Sequence, residues 1–440
     1  MSITTRSDRR GGEGAHKSVA AAQGGRYRRV VITGMGCVTV YGTGLDRFWE
    51  NLVAGRPGIG PLTAFDPTPY GTRVAGQIPD FRPADFMSQK AISGSARCMQ
   101  LGVAAARMAL EDARLSIQGT DSRRIGVFFG TSVGTFSYAA ENHAVFLEKG
   151  IRRIHPLFPA QSYAGVVATQ IAIQFNIRGP AICVSTACTS ATDAIGLALL
   201  HIRAGLIDRA IVGGAEAPLD PFLFSAFDRL GVMSRQNDGP ERASRPFAAA
   251  RDGFVMSEGA GACILEAEDA AAERGAEPLA EISGYSATSD AFHGFSPLPT
   301  GDEGARAICL ALEQANVTPD KVDYVNAHAV GSKGNDPIEL DIMRHVFGER
   351  VPQIPLSSIK SMIGHSMGAA GALELIACAR AIKSSTLPPT INLAPEDLHQ
   401  GFDFVANEAR KAKIRTALSP TFGFGSRNAA LVIRDVGSCA

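Results

Sequence analysis

A cysteine and two histidines are the residues of this chain best suited to chemistry. Cys188 stands between an apolar run, Ala181–Val184, and a segment whose apolar residues have helical spacing. This pattern predicts a strand, a tight turn and a helix whose first turn holds the thiol. Free N–H groups and a helix dipole favour the thiolate there, and the thiolate is the attacking species. Cys188 is therefore a candidate nucleophile, although an isolated cysteine is more often a small buried side chain.

His328 and His365 are the two histidines that the pattern places in loops at strand ends. Gly, Ala and Ser surround both, so the backbone there can approach a ligand closely. Lys360, five residues before His365, adds a positive charge at a strand end. A Cys–His hydrolase needs one oriented histidine, whereas two histidines can hold an oxyanion on a thioester while an enolate forms. The residues favour carbon–carbon bond formation, and hydrolysis stays an alternative.

Alternating Phe and Gly residues precede the last predicted strand, in the run Thr421-Phe422-Gly423-Phe424-Gly425. Glycine allows an N–H to turn inward, so this run could complete an oxyanion hole with the N–H of Cys188. A hinged gate is the companion interpretation. The cysteines and histidines show no metal-ligand spacing, and we expect no metal.

Composition excludes several classes of protein. Basic and acidic residues both number 43, and the zero net charge argues against a nucleic-acid or membrane-surface protein. The eight cysteines show no C-x-x-C pair, and nothing resembles a signal peptide, so we expect free thiols and a cytoplasmic location. Apolar runs are far shorter than the ~20 residues of a membrane span. Residues 1–27 are rich in Arg, Gly and Ser and are predicted to be a disordered tail.

The two halves of the chain, predicted as residues 28–275 and 276–437, present the same order of elements. Each half has an opening strand, a helix, a second strand, a segment in which a candidate catalytic residue precedes a helix, and a closing strand. In the first half these are residues 30–36, 101–110, 124–131, 181–199 and 209–214; in the second half they are 279–285, 305–315, 322–328, 355–381 and 429–433. The order indicates an internal duplication of one α/β unit.

The first half carries an insertion at about residues 132–172. Gly130 and Cys188 are 58 positions apart, whereas His328 and His365 are 37 apart. Its aromatic residues suit the wall of an apolar substrate site, and an ordinary packed excursion is the alternative. They are Phe136, Tyr138, Phe146, Phe158 and Tyr163.

The motifs around these residues resemble those of the β-ketoacyl synthases of the thiolase superfamily, from about residue 28 to residue 436. They occur in the order of that family: Val184-Ser185-Thr186-Ala187-Cys188-Thr189-Ser190, Val325-Asn326-Ala327-His328, Ser358-Ile359-Lys360-Ser361-Met362-Ile363-Gly364-His365, Gly368-Ala369-Ala370-Gly371 and Phe422-Gly423-Phe424-Gly425. The resemblance implies an α/β thiolase-like fold of five layers, αβαβα, built from two duplicated halves.

The resemblance also implies a role for each matched residue. Cys188 would hold an acyl chain as a thioester. His328 and His365 would stabilise the enolate that forms when a malonyl unit loses its carboxylate, and Lys360 would fix the orientation of His365. The substrates would be carried on the phosphopantetheine of an acyl carrier protein, with no further cofactor.

Three further residues have supporting roles by the same resemblance. The N–H of Phe424 would complete the oxyanion hole with that of Cys188, and its ring would act as a gate. Glu374 and Asn428 would support the site.

Two stretches depart from the usual family pattern. Fatty-acid members have two hydroxyl residues that hold the pantetheine arm; here Ser332 keeps the second and Val330 replaces the first. The run with Lys333 and Asn335-Asp336 resembles the catalytic ketosynthase subunit of type II polyketide synthases. Ser426-Arg427 replaces the usual Gly-Gly or Gly-Thr.

The first interpretation is therefore a catalytic ketosynthase of a type II polyketide or polyene pathway, working with acyl carrier protein. It would form a heterodimer with a chain-length-factor-like subunit, or a homodimer. The alternative is an elongating β-ketoacyl-carrier-protein synthase II of fatty-acid synthesis, acting as a homodimer. A non-catalytic chain-length partner is a remote alternative because such partners typically lack the nucleophile, and an acyl-thioester hydrolase is another.

Overall fold

The computed structural model describes residues 27–399 and 401–438, so the predicted tail lies outside the described residues except for Tyr27. The strands are β1 Val30–Thr39, β2 Gly42–Thr43, β3 Gly60–Pro61, β4 Val74–Ala75, β5 Ile125–Gly130, β6 Ala181–Val184, β7 Arg209–Glu216, β8 Gly259–Ala267, β9 Ala280–Ser289, β10 Tyr324–Asn326, β11 Leu356–Ser357, β12 Thr386–Leu387, β13 Arg410–Lys411, β14 Thr416–Gly423 and β15 Arg427–Arg434. The helices are α1 Leu45–Val53, α2 Gln89–Ile92, α3 Arg97–Asp112, α4 Phe136–Lys149, α5 Phe158–Gln161, α6 Val166–Phe175, α7 Ser190–Arg203, α8 Pro221–Leu230, α9 Glu268–Glu273, α10 Asp302–Gln314, α11 Asn335–Phe347, α12 Lys360–Ile363 and α13 Ala370–Ser384.

One large mixed sheet carries the duplication. Its strand order is β11-β10-β14-β15-β9-β1-β8-β7-β5-β6, with β2 paired to β1. The first half contributes β6-β5-β7-β8-β1 and the second contributes β11-β10-β14-β15-β9, so corresponding strands occupy corresponding places. The halves join where β1 and β9 pair over two residues, Val31 with Glu281 and Ile32 with Ala280. The repeated order of elements in the sequence is therefore a repeated topology.

The predicted equivalence of the closing strands is wrong by one strand. Residues 209–214 belong to β7, whose counterpart is β14, whereas residues 429–433 belong to β15, whose counterpart is β8. The predicted repeat does not include β8 or β14. Strand β8 begins with Gly-Ala-Gly-Ala, which has low strand propensity. Strand β14 contains Pro420, a residue that argues against a strand interior.

Two helices form the middle of the structure. Helix α7 packs on β5 and β7 of the first half and on β9 and β15 of the second, and α13 packs on β7, β8 and β14. The outer faces are covered by α3 in the first half and by α10 in the second. Helices α7 and α13 pack against each other closely, because a Cβ on Gly371 would overlap the hydroxyl of Thr192. Each half of the sheet is one β layer, with α7 and α13 between them and α3 and α10 outside, which gives the expected order α-β-α-β-α.

Burial on both faces explains why the central strands read as continuous apolar runs. All residues of β1 and of β8 are buried. A strand covered on both faces has no polar side to alternate with, so its sequence lacks the period of two. No helix among the described residues is long and apolar enough to cross a membrane.

The insertion of the first half forms α4, α5 and most of α6. Its aromatic residues pack among themselves and with α8: Phe136 stacks on Phe222, and Tyr138 stacks on Phe158. Phe146 and Tyr163 are exposed. These contacts are those of a packed excursion with an apolar outer surface.

Candidate active site

Cys188 lies in a tight turn between β6 and α7. Ala187 has a left-handed φ of 57°, which turns the chain sharply before the thiol. Helix α7 begins at Ser190, so the cysteine stands two residues ahead of the helix and not within its first turn. Gly130, at the end of β5, permits the close approach of this turn, because a Cβ there would overlap the backbone nitrogen of Ala191.

The two histidines and the cysteine come together in one cluster. The Nε2 of His365 is 3.1 Å from the Sγ of Cys188. The rings of His328 and His365 are 5.5 Å apart between centroids and nearly perpendicular. One nitrogen of each imidazole and the Sγ all lie within 4.8 Å of one another. Three residues spread over 178 positions of the chain therefore form a single site.

Backbone hydrogen bonds hold both histidines. His328 follows β10, and its backbone N–H donates to the Oε1 of Glu339 at 2.8 Å. His365 lies between α12 and α13, and its N–H donates to the carbonyl of Val255 at 2.8 Å. The ring of Phe254 packs edge-on against the His365 imidazole, with 5.6 Å between centroids.

Burial and one charge set the protonation of the cluster. Burial raises the pKa of Cys188 to about 11, while Lys360 and the N–H of Phe424 lower it. Burial and Lys360 hold the pKa values of His328 and His365 well below their ordinary value. At neutral pH this favours a thiol beside two neutral imidazoles and not the expected thiolate, because burial outweighs the lowering effects of Lys360 and the Phe424 N–H on the pKa of Cys188. The His365 Nε2 is placed to take the thiol proton.

Lys360 and Glu374 form a buried ion pair, with side chains 2% and 1% exposed. The ammonium of Lys360 donates to the carboxylate of Glu374. Among the described residues, no hydrogen bond joins Lys360 to either imidazole, so its effect on His328 and His365 is that of its charge. The positioning of His365 by Lys360 accordingly stays a proposal.

The backbone of Phe424 reaches the nucleophile. Its N–H faces the Sγ of Cys188 closely enough to lower the pKa of the thiol. Gly423 makes this approach possible, since a Cβ at that position would lie 3.3 Å from the nitrogen of Cys188. An N–H aimed at this point can bind an oxyanion that develops on a carbonyl attached to the sulfur. The ring of Phe424 contacts Phe295, with 4.8 Å between centroids.

Ser426 and Asn428 fasten the chain after Phe424 to the neighbouring loop. Ser426 has a φ of 61°, and its Oγ donates to the carbonyl of His293 at 2.8 Å and accepts the N–H of His293 at 3.2 Å. The amide of Asn428 donates to the carboxylate of Asp290 at 2.6 Å. Arg427, the other departure from the family pattern, is exposed. Asn428 thus contacts the loop that contains Asp290 and not the cysteine.

Sequence reasoning misses Glu216, which ends β7. Its buried carboxylate accepts the N–H groups of Val133 and Gly134 at 3.2 Å, and that of Gly368 at 3.0 Å. Val133 and Gly134 follow β5 of the first half, whereas Gly368 follows the His365 loop of the second. Glu216 therefore ties the two halves together beside the site. An acidic residue at the end of an apolar strand is the signal that could have found it.

Two buried acids on α11, Asp336 and Glu339, also escape the sequence reading as site residues. Asp336 accepts the N–H groups of Gly331 at 3.1 Å and Ser332 at 3.0 Å, and Glu339 accepts that of His328. They hold the loop that follows β10. Burial raises the pKa of Glu339 to about 8. Their spacing of three residues, which places both on one helix face, is the signal in the sequence.

An apolar cavity opens beside the thiol. Its walls include Val133, Phe227, Phe254, Val330, Met367 and Phe424. Val330 is 5% exposed and packs among apolar side chains. Ser332 is not on this wall; its hydroxyl accepts the N–H groups of Gly334 and Asn335. None of the five aromatic residues predicted for the insertion wall lines this cavity.

Comparisons with known proteins agree with this geometry. The family models for the β-ketoacyl synthase N-terminal domain and C-terminal domain match residues 27–271 and 279–394. The 3-oxoacyl-[acyl-carrier-protein] synthase 2 of Coxiella burnetii is 38% identical over 409 residues, covering 93% of this chain and 99% of the relative. The tetracenomycin polyketide synthase ketoacyl synthase alpha subunit of Streptomyces glaucescens is 41% identical over 413 residues, covering 92% and 97%.

A solved structure has the same fold. The ishigamide ketosynthase/chain length factor superposes with a TM-score of 0.88 at 36% identity, covering 94% of this chain and 100% of that one. Family models that span most of the chain and relatives of matching length lead to one conclusion. The chain belongs to the β-ketoacyl synthase family.

Proposed function

We propose that this enzyme condenses a malonyl unit with an acyl chain held on Cys188, releasing carbon dioxide and forming a β-ketoacyl thioester on acyl carrier protein. The cluster of one thiol and two neutral imidazoles beside an inward N–H carries the proposal. A hydrolase would need one histidine and an open route for water. Here the cysteine is 7% exposed and faces an apolar cavity, which favours an acyl chain.

The first step loads the acyl chain. The thiol proton of Cys188 passes to the Nε2 of His365, 3.1 Å away, as Sγ attacks the thioester carbonyl. The N–H groups of Phe424 and Cys188 bind the oxyanion of the tetrahedral intermediate. The pantetheine sulfur leaves and takes the proton from His365, so the cluster returns to its neutral state.

The second step makes the carbon–carbon bond. The malonyl carboxylate leaves as carbon dioxide, and its bonding electrons form an enolate whose oxygen accepts hydrogen bonds from His328 and His365. The enolate carbon attacks the thioester on Cys188, and the sulfur leaves as a thiolate that takes one proton from solvent. Both imidazoles are neutral, so they stabilise the enolate by hydrogen bonding without first protonating it.

The run with Lys333 and Asn335-Asp336 and the 41% identity to a polyketide synthase alpha subunit support the polyketide or polyene pathway over fatty-acid elongation. Val330 marks a separate departure, at the pantetheine contact. The apolar side chain stands on the cavity wall where fatty-acid members present a hydroxyl to the pantetheine arm, so this contact would be made by Ser332 after a local change or not at all. The fatty-acid alternative rests on the 38% identity to a synthase 2 over nearly its whole length.

An open sheet edge supports a dimer. Strand β6 lies at one end of the sheet with every residue at least partly exposed, whereas β11 at the other end is buried. An exposed edge strand is a template for pairing with another chain. The insertion exposes Leu147 and Ile151, and α6, which packs on β6, exposes Ile173. We infer that a partner of related fold, a chain-length-factor-like subunit or a second copy, covers β6 and this apolar surface.

Incubation with acyl-carrier and malonyl-carrier protein tests the reaction. We expect carbon dioxide release and a product two carbons longer, detected by mass spectrometry. Cys188→Ala should lose acyl loading altogether, while Cys309→Ala, which removes an exposed cysteine, should load normally. Release of free acid without condensation would instead support the hydrolase. Loading that survives in Cys188→Ala would refute the assigned nucleophile.

Native mass spectrometry after co-expression with neighbouring genes separates the two pathways. A heterodimer with a related chain that lacks the cysteine supports the polyketide interpretation. A homodimer that is fully active with fatty-acid substrates alone contradicts it.

A further inference from the structure

The three groups that form the catalytic cluster are also a set of zinc ligands. Among the residues that the structure describes, Cys188, His328 and His365 are the one group of three potential ligand side chains whose ligating atoms lie together, within 4.8 Å. Thiolate and imidazole are the ligands that Zn²⁺ prefers in proteins. Tetrahedral zinc with normal bond lengths places its ligand atoms about 3.3–3.6 Å apart. The Sγ to Nε2 distance of 3.1 Å is close to that value, and the separations that involve His328, all within 4.8 Å, would contract toward it on binding.

We propose that the Cys188–His328–His365 cluster binds one Zn²⁺ ion and that the bound ion inhibits the enzyme by occupying the nucleophile. Binding breaks the S–H bond of Cys188, forms an S–Zn bond and releases the proton to the buffer, with no change of oxidation state. The two imidazoles each give one nitrogen lone pair. The fourth position faces the apolar cavity. The site follows from the geometry of the cluster and does not depend on which reaction the enzyme catalyses.

The surroundings distinguish this from the site of a resident metal. Histidines that hold a structural or catalytic zinc donate their other N–H to an acceptor, and losing such a partner typically costs 10–100-fold in affinity, as a rough range. The Nδ1 atoms of both His328 and His365 are buried without a hydrogen-bond partner. The ammonium of Lys360, which is 2% exposed, adds a positive charge near the cation. We therefore expect reversible binding that a chelator removes.

Cobalt is the probe for the ligand set because tetrahedral Co²⁺ absorbs visible light and a thiolate ligand adds a charge-transfer band in the near ultraviolet. We expect titration of the full-length protein to give both bands at one ion per chain, and Zn²⁺ to displace them. Cys188→Ala should abolish the charge-transfer band. His328→Ala should weaken binding by about tenfold or more. Cys309→Ala is the matched control and should bind normally.

Alkylation provides a second readout on the unmodified protein. Zn²⁺ should protect Cys188 from iodoacetamide, as measured by peptide mass spectrometry, and a chelator should restore its labelling. Absence of the charge-transfer band, or a band that persists in Cys188→Ala, would overturn the proposal. These measurements do not involve carrier proteins, so failure of the condensation assay would leave the zinc site standing, and failure of cobalt binding would leave the condensation standing.

Discussion

The two halves of the sheet share one topology and differ in what stands at their strand ends. After β6 the first half has Cys188 and helix α7, and after the equivalent β11 the second half has His365 and helix α13. Strand β7 ends in Glu216, whose carboxylate accepts the Thr131 hydroxyl and backbone N–H groups, whereas its counterpart β14 leads into Phe424, whose N–H faces the sulfur. One half supplies Cys188, and the other supplies the two histidines and Phe424.

The comparison teaches that duplication supplied the frame and divergence of short loops supplied the chemistry. Helices α7 and α13 occupy equivalent places and pack against each other, so the residues just ahead of them meet. The sheet edges have diverged too, since β6 is exposed and β11 is buried. Variants that affect one half only, or the contact between halves, test this interpretation.

The largest expected effect separates the two histidines. His365→Ala removes the imidazole that contacts Sγ, so acyl loading and condensation should each fall by about 10²–10⁴-fold. His328→Ala leaves that contact intact, so loading should stay near wild type while carbon dioxide release falls by a similar factor. Loading is measured by intact-protein mass spectrometry. His345→Ala, at an exposed position on α11, is the control, and equal loss of loading in both active-site variants would contradict the division of roles.

The ion pair of the second half gives the next largest effect, on stability. Lys360→Met leaves Glu374 as an unpaired buried carboxyl group and should lower the free energy of unfolding by about 3–5 kcal/mol. The double variant Lys360→Met/Glu374→Leu should recover most of that loss in urea unfolding. Activity should not recover to the same degree. Without the Lys360 charge the pKa values of His328 and His365 rise, so the acidic limb of the pH–rate profile should move to higher pH. A double variant with an unchanged profile would show that the charge has no effect on the imidazoles.

A smaller effect comes from the contact between the halves. Gly371→Val should force α7 and α13 apart, because a Cβ there overlaps the Thr192 hydroxyl, and should cost about 1–3 kcal/mol of unfolding free energy. Condensation should fall as well, since the two helices position Cys188 and His365. The matched control is Gly119→Val, where a Cβ meets nothing within 4 Å. Wild-type stability and rate in Gly371→Val would mean that the helix contact does not position the site.

The smallest effect concerns the gate. Ser426→Gly removes the hydroxyl that binds the backbone of His293 while relieving a left-handed φ, so stability should change by no more than about 1 kcal/mol. A looser loop should raise the rate at which iodoacetamide alkylates Cys188 by about fivefold. Ser385→Gly relieves a similar φ of 49° at the end of α13, away from the gate, and is the control. Equal alkylation rates in the two variants would show that the hydrogen bonds between Ser426 and His293 do not restrict access to Cys188.

The parts of the fold and of the site that depend on local sequence patterns were predictable from the sequence. The strand and helix around Cys188, the repeat of elements and the family motifs are all visible in the printed residues. The protonation state of Cys188 was not predictable in the same way. A helix dipole is a local property, whereas the burial that raises the pKa of Cys188 comes from residues far along the chain. The role of Glu216 escaped for the same reason, because its partners, Val133 and Gly368, lie 83 and 152 positions away.

By itself, the sequence determined the type of chemistry and the duplicated α/β frame, because residue types, apolar period and turn residues are encoded locally. Only the tertiary structure decided that burial raises the pKa of the Cys188 thiol beside His365, that Lys360 pairs with Glu374, and that Ser426 binds the backbone of His293. Each of these depends on burial and on contacts between distant segments, and the free energy of a buried charge or hydrogen bond is set by its surroundings and not by its neighbours in the chain.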